Sequence, residues 1–93
     1  MKHLNIKIYG RVHGVGFRWN TQHRAKVLNI VGFVRNEPDG TVYIEAEGDD
    51  PALEKFLNWC RKGPWYAKVE KVDVEETPTK GYNEFVIATD IHK

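Results

Sequence analysis

Ninety-three residues, 41% hydrophobic and 29% charged, describe one small domain, residues 1–93, with a modest core. One cysteine excludes an internal disulfide, no run approaches the ~20 apolar residues that span a bilayer, and no apolar leader opens the chain, so a cytoplasmic location without membrane contact is expected. The net charge of +1 conceals a basic first half, with seven Lys/Arg against two acids in residues 1–40 and seven against eleven thereafter; this suits an anionic ligand and argues against a general nucleic-acid binder.

Leu4, Ile6 and Ile8 alternate with Asn5, Lys7 and Tyr9, which predicts a half-buried first strand. It runs into the glycine-punctuated turn Gly10-Arg11-Val12-His13-Gly14-Val15-Gly16-Phe17-Arg18, and a helix is predicted from Trp19 to Leu28, a stretch without Gly or Pro. Gly14 and Gly16 permit positive φ and close backbone approach, so successive peptide N–H groups can turn towards one centre. A helix N-terminus adds partial positive charge there, and Arg18 adds a full charge on a planar fork that matches two phosphate or carboxylate oxygens. Taken alone, the stretch fits an anion cradle and a bare chain reversal equally well. It lacks the Lys-Ser/Thr pair of a Walker A loop and the complete G-x-G-x-x-G fingerprint.

Asn29, next in preference to Gly for a left-handed closing residue, ends the helix. Ile30 to Asn36 is a predicted strand with Val31, Phe33 and Arg35 on one face and Gly32, Val34 and Asn36 on the other. Glu37-Pro38-Asp39-Gly40 signals a turn, after which Thr41 to Glu47 alternates with Val42, Ile44 and Ala46 inward to complete a hairpin. Gly48-Asp49-Asp50-Pro51 has the form of a helix start, Leu53, Phe56, Leu57 and Cys60 make one apolar stripe, and Gly63-Pro64 ends it. Cys60 therefore reads as buried, and Tyr66 stands where a cysteine phosphatase would need an arginine. Ala67 to Glu76 is a predicted strand whose apolar phase changes between Val69 and Val72, implying a bulge or sharp twist. Thr77 to Gly81 is polar and turn-like, and Glu84 to Ala88 makes a short last strand.

The order is that of a ferredoxin-like α+β sandwich, β-α-β-β-α-β, an antiparallel sheet with two helices on one face and a short extra C-terminal strand. The first two strands flank a helix, so they run parallel and finish at the same edge. Asn36 should then sit beside the Arg11 to Arg18 turn.

An arginine, backbone donors and one carboxamide form a site without base, thiol or metal cluster. An acyl phosphate fits, because its leaving carboxylate has a pKa of about 4 and needs no general acid. Transfer to water then requires positioning and charge stabilisation. Asn36 accepts and donates at once, so it can orient a water towards phosphorus without deprotonating it.

Two stretches resemble the signatures of the acylphosphatase family: Gly10 to Arg18, and Gly32-Phe33-Val34-Arg35-Asn36 followed by Asp39-Gly40-Thr41-Val42. Ala25, Leu28, Gly63-Pro64 and Phe85-Val86-Ile87 are similar to further positions of that family. The resemblance implies hydrolysis of a small-molecule acyl phosphate to a carboxylate and inorganic phosphate without a cofactor; a monomer that needs no metal is expected. It implies that Arg18 binds phosphate together with the loop His13, Gly14, Val15, Gly16 and Phe17, and that Asn36 holds the nucleophilic water. His13 stands where the family usually has Gln, Asn29 where it has Gly, and Trp65 where a second Pro is common; residues after Ile87 extend the usual end.

Other residues read as structural. His3, His13, His23 and His92 have no metal-ligand spacing, and His13 is expected to face solvent. Arg11 is expected to pack beside the turn or pair with an acid, Arg35 to face away from the site, Thr41 to make a cross-strand pair, and Trp19, Trp59 and Trp65 to be partly buried packing residues. Two rival classes remain on the same architecture. One is a single-stranded RNA-binding module, disfavoured because Gly14-Val15-Gly16-Phe17 lies in the first loop and not on the third strand. The other is a non-catalytic domain that binds a phosphorylated metabolite.

Overall fold

In the computed structural model, which describes residues 1–88, the alternation of the first segment becomes β1 (Lys2–Arg11), with Leu4, Ile6 and Ile8 buried. The chain continues through α1 (Phe17–Val27), β2 (Val31–Asn36), β3 (Val42–Gly48), α2 (Asp50–Lys62), β4 (Lys68–Thr77) and β5 (Phe85–Ile87). The expected order holds throughout, while His92 lies outside the described residues. Asn29 closes α1 with φ 58°, as its sequence position requires.

The five strands lie in the order β4-β1-β3-β2-β5. β1 and β2 both pair antiparallel with the intervening β3, so they run parallel to each other and end on one side of the sheet. Three rows cross that sheet: Leu4, Ala46 and Gly32; Ile6, Ile44 and Val34; Ile8, Val42 and Asn36. The first two rows are apolar or Gly and buried, and the third ends in a carboxamide at the end from which the glycine turn springs.

α1 buries Phe17, Thr21 and Ala25, one residue per turn, and α2 buries Leu53, Phe56 and Cys60. These meet the sheet's apolar rows, with Phe56 edge-on to Phe85 at 6.2 Å between ring centroids. Each fully buried large side chain contributes about 1.5–3 kcal/mol. Strand approach is closest at Gly32, φ 139°, where a Cβ would lie 1.8 Å from the Glu45 carbonyl oxygen. Only glycine fits.

Two features depart from expectation. The sheet is mixed and not wholly antiparallel, because β5 joins β2 in parallel. To get there from β4 the chain must cross the sheet, and it does so on the face away from the helices. That crossing buries Glu45 and Glu47, which β3 alternation alone turns to solvent, together with His3. His3 Nδ1 lies 2.7 Å from Glu47 Oε2, and Glu47 also accepts from the N–H groups of Lys80 and Gly81. Glu45 accepts from Lys80 Nζ, Tyr82 Oη and Tyr43 Oη, at 2.9, 2.7 and 2.8 Å. Burial opposes ionisation of Glu45, yet these donors outweigh it and hold the carboxyl down at about 2. The polar segment after β4 is thus a strap clasped by two carboxylates.

The phase change in β4 is a bulge: pairing passes from Tyr9 with Lys71 to Gly10 with Val69, leaving Glu70 as the extra residue.

Candidate active site

Gly16, φ 72°, caps α1 in a left-handed conformation, so the helix begins at Phe17, two residues earlier than its composition predicts, and Arg18 falls in the first turn. The first N–H groups of a helix have no intrahelical acceptor, and no acidic side chain stands in this turn to take them up. The Gly16 carbonyl is already occupied, accepting from the Asn20 backbone N–H at 3.0 Å and from its Nδ2 at 2.8 Å. Its dipole is committed to the helix. Donors, and not acceptors, are left to face outward.

They border a cavity of about 220 Å³ whose lining includes Gly14, Gly16 and Arg18 from this turn and Asn36 from β2. Val12 and Phe17, each 1% exposed, form its floor, and Trp19 and Ile87 complete the wall. Among the described residues Arg18 enters no ion pair, so its charge is uncompensated at the cavity. Asn36 Oδ1 is buried and has no hydrogen-bond partner among the described residues. An acceptor in that state costs about 1–3 kcal/mol. Such a cost marks a group held ready for something else.

Cys60 is fully buried in α2, where desolvation pushes its thiol up, and it takes no part in the cavity. No group of three or more His, Cys, Asp or Glu able to hold a metal occurs among the described residues.

His13 does not point to solvent as expected. Its side chain is half-buried, and Nε2–H donates to the Thr41 carbonyl oxygen at 2.8 Å, which ties the turn after β1 to the turn between β2 and β3. Thr41 in turn is not a cross-strand residue: it precedes β3, and its hydroxyl and N–H both donate to Asp39 Oδ1, at 2.6 and 3.0 Å. Those bonds, with Lys7 3.0 Å from the other oxygen, hold the Asp39 carboxyl down at about 2. The two loops flanking the cavity are therefore braced against each other through Thr41.

Arg35 faces away, bonding Glu37 Oε2 at 2.5 Å and lying over Phe33 and Tyr43. Arg11 is exposed and has no acidic partner among the described residues. Val15 packs against the core, so neither it nor His13 lines the cavity with its side chain. Of the tryptophans only Trp59 packs as expected, 5.5 Å from Phe17 between ring centroids. Trp65 is 92% exposed and Trp19 62%. Trp19 went unrecognised as a cavity residue because helical periodicity separates buried from exposed faces but does not say what an exposed face borders.

A family model described as Acylphosphatase matches residues 4–87. The acylphosphatase of Thermotoga petrophila is 52% identical over 87 residues, covering 94% of this chain and 97% of that protein. Among solved structures, an acylphosphatase from Bacillus subtilis superposes with a TM-score of 0.92 at 37% identity, covering 95% of this chain and 99% of that one. One from Coxiella burnetii gives 0.91 at 29% identity, over 94% and 92%.

Proposed function

The chain belongs to the acylphosphatase family, an enzyme that hydrolyses acyl phosphates to a carboxylate and inorganic phosphate, and from that premise we propose how its own residues perform the reaction. Arg18 and the N–H groups of His13 to Phe17 hold the phosphate, and Asn36 holds the attacking water. The observation that carries this reading is the buried, unpartnered Asn36 Oδ1 on the same cavity as Arg18 and the two glycines.

The chemistry follows from these groups. Arg18 spans two non-bridging oxygens, and the helix N-terminus and turn amides meet the remaining charge. As the P–O bond to the acyl group lengthens, negative charge gathers on the bridging oxygen and the equatorial oxygens, where the donors are already aimed. Asn36 Oδ1 accepts one water hydrogen and thereby turns the water's lone pair towards phosphorus. The water oxygen bonds to phosphorus, its surplus proton passes to a phosphate oxygen, and the carboxylate leaves with the bridging electron pair. A carboxylate leaves without protonation, so no acid is required among the described residues that line the cavity. A monomer working in the cytoplasm is part of the proposal; what supports the compartment is that the one cysteine is a buried free thiol.

The test is hydrolysis of benzoyl phosphate in EDTA, followed with competitive inhibition by inorganic phosphate. Turnover that persists in EDTA and falls in Arg18→Ala, together with weakened phosphate inhibition, is expected. Folded protein that shows no turnover refutes the reading.

A further inference from the structure

We propose that Trp19 is the specificity-determining residue for the acyl half of the substrate, favouring flat apolar acyl groups such as aroyl over small ones such as acetyl. This rests on the site reading above, in which the phosphate occupies the cradle.

The cavity measures about 220 Å³, below the ~300–1,000 Å³ of pockets that enclose a whole drug-sized ligand. The cradle and Asn36 account for the phosphate and the water. The acyl carbon is joined to phosphorus through one oxygen, so the acyl group must lie at the cavity mouth. Among the described residues, two apolar side chains reach that mouth, Trp19 and Ile87. Ile87 is half-buried on β5, opposite Val34 of the strand that carries Asn36, and it therefore shares the water's side. In-line displacement sets the leaving group away from the water. Trp19 is the apolar wall supplied by a different element, next to Arg18 in the first turn of α1.

Its exposure, 62%, is more than packing explains for a residue type that is mostly buried. Nor is the ring loose. His23, one turn on, stacks on it with ring centroids 5.6 Å apart and planes within 1°. At this separation the stack is offset, so His23 biases the indole towards one orientation, lowering the cost of ordering it, and leaves most of the ring face open to a second flat group. Trp65, 92% exposed but absent from the cavity lining, supplies an internal control.

kcat and KM are measured with benzoyl phosphate and acetyl phosphate for the wild type, Trp19→Ala, Trp19→Phe and Trp65→Ala, alongside inhibition by inorganic phosphate. Trp19→Ala should raise KM for benzoyl phosphate about tenfold, the scale of one aromatic contact, while KM for acetyl phosphate and phosphate inhibition stay unchanged. Trp19→Phe should restore most of the loss, and Trp65→Ala should change neither substrate. Equal effects of Trp19→Ala on both substrates, or none on either, overturn the proposal. A wild type that turns over neither substrate overturns the site reading itself, and this inference with it, so the two failures are told apart.

Discussion

Replacing Asn36 by leucine should move stability and activity in opposite directions. The two side chains branch alike and have the same number of heavy atoms, with leucine the bulkier, and Asn36 ends the row that contains Ile8 and Val42, both fully buried. Its Oδ1 is buried without a partner among the described residues, and such an acceptor costs about 1–3 kcal/mol. Leucine removes that cost and adds apolar contact along the row, while part of the gain is lost to imperfect fit. A net stabilisation of about 1 kcal/mol is expected, which for a domain of this size is roughly 4–8 °C in Tm. Turnover should fall by about 10²-fold or more, the scale on which one preorganised group acts in a transition state. Phosphate inhibition should stay near the wild-type value because Arg18 and the turn are untouched. Thermal and urea unfolding give the first quantity, and benzoyl phosphate hydrolysis the others. An Asn36→Leu protein that is less stable than wild type and still turns over at the wild-type rate would refute the argument, since the amide would then be holding the fold and not the water.

Arg18→Ala should lower kcat/KM by roughly 10²-fold or more and raise the inhibition constant for phosphate; Tm should barely move, because Arg18 has no ion-pair partner among the described residues. The strap makes stability depend on acid. Glu45 titrates near 4.5 when unfolded and at about 2 in the folded chain, so its contribution is complete above about pH 4.5 and is lost as pH falls towards 2. Glu47 is shifted in the same direction, with burial again outweighed by its donors. Glu45→Gln should flatten the acid limb of a Tm-against-pH curve, and an unchanged limb would show that the strap does not feel the charge. Gly32→Ala forces a Cβ to 1.8 Å from a backbone oxygen and should destabilise by ~3 kcal/mol or more, measured by urea unfolding. His13→Ala removes one hydrogen bond to Thr41 and should cost about 1 kcal/mol, with weaker phosphate inhibition as the two loops uncouple.

The architecture was legible because each element carries a local signal that agrees with its neighbours. Period-two alternation in residues 4–8 and 42–46, the apolar stripe Leu53-Phe56-Leu57-Cys60 and the closing residues Asn29 and Gly63 all reappear in the structure. Even the Glu70 bulge is written as a phase slip between Val69 and Val72. The juxtaposition of Asn36 with the turn after β1 followed from topology alone. Contacts made by segments without periodicity were not legible. Nothing local says that residues 78–84 fold back over Glu45 and Glu47, that His13 reaches a carbonyl 28 positions away, or that Trp19 opens onto a cavity. These depend on long-range packing, which a pattern of short period does not encode.

One border of the sheet is β4, a ten-residue strand paired with β1 on its inner side, whose outward amides and carbonyls are open to another extended chain. Lys68, Glu70, Lys71, Asp73, Glu75 and Glu76 make that border charged along its length, and the extra residue at Glu70 throws its donors out of step for any incoming partner. The opposite border, β5, is three residues long and offers little to grip. Charge and a kink on one flank and brevity on the other thus oppose the molecule-to-molecule zipping that leads to fibrils.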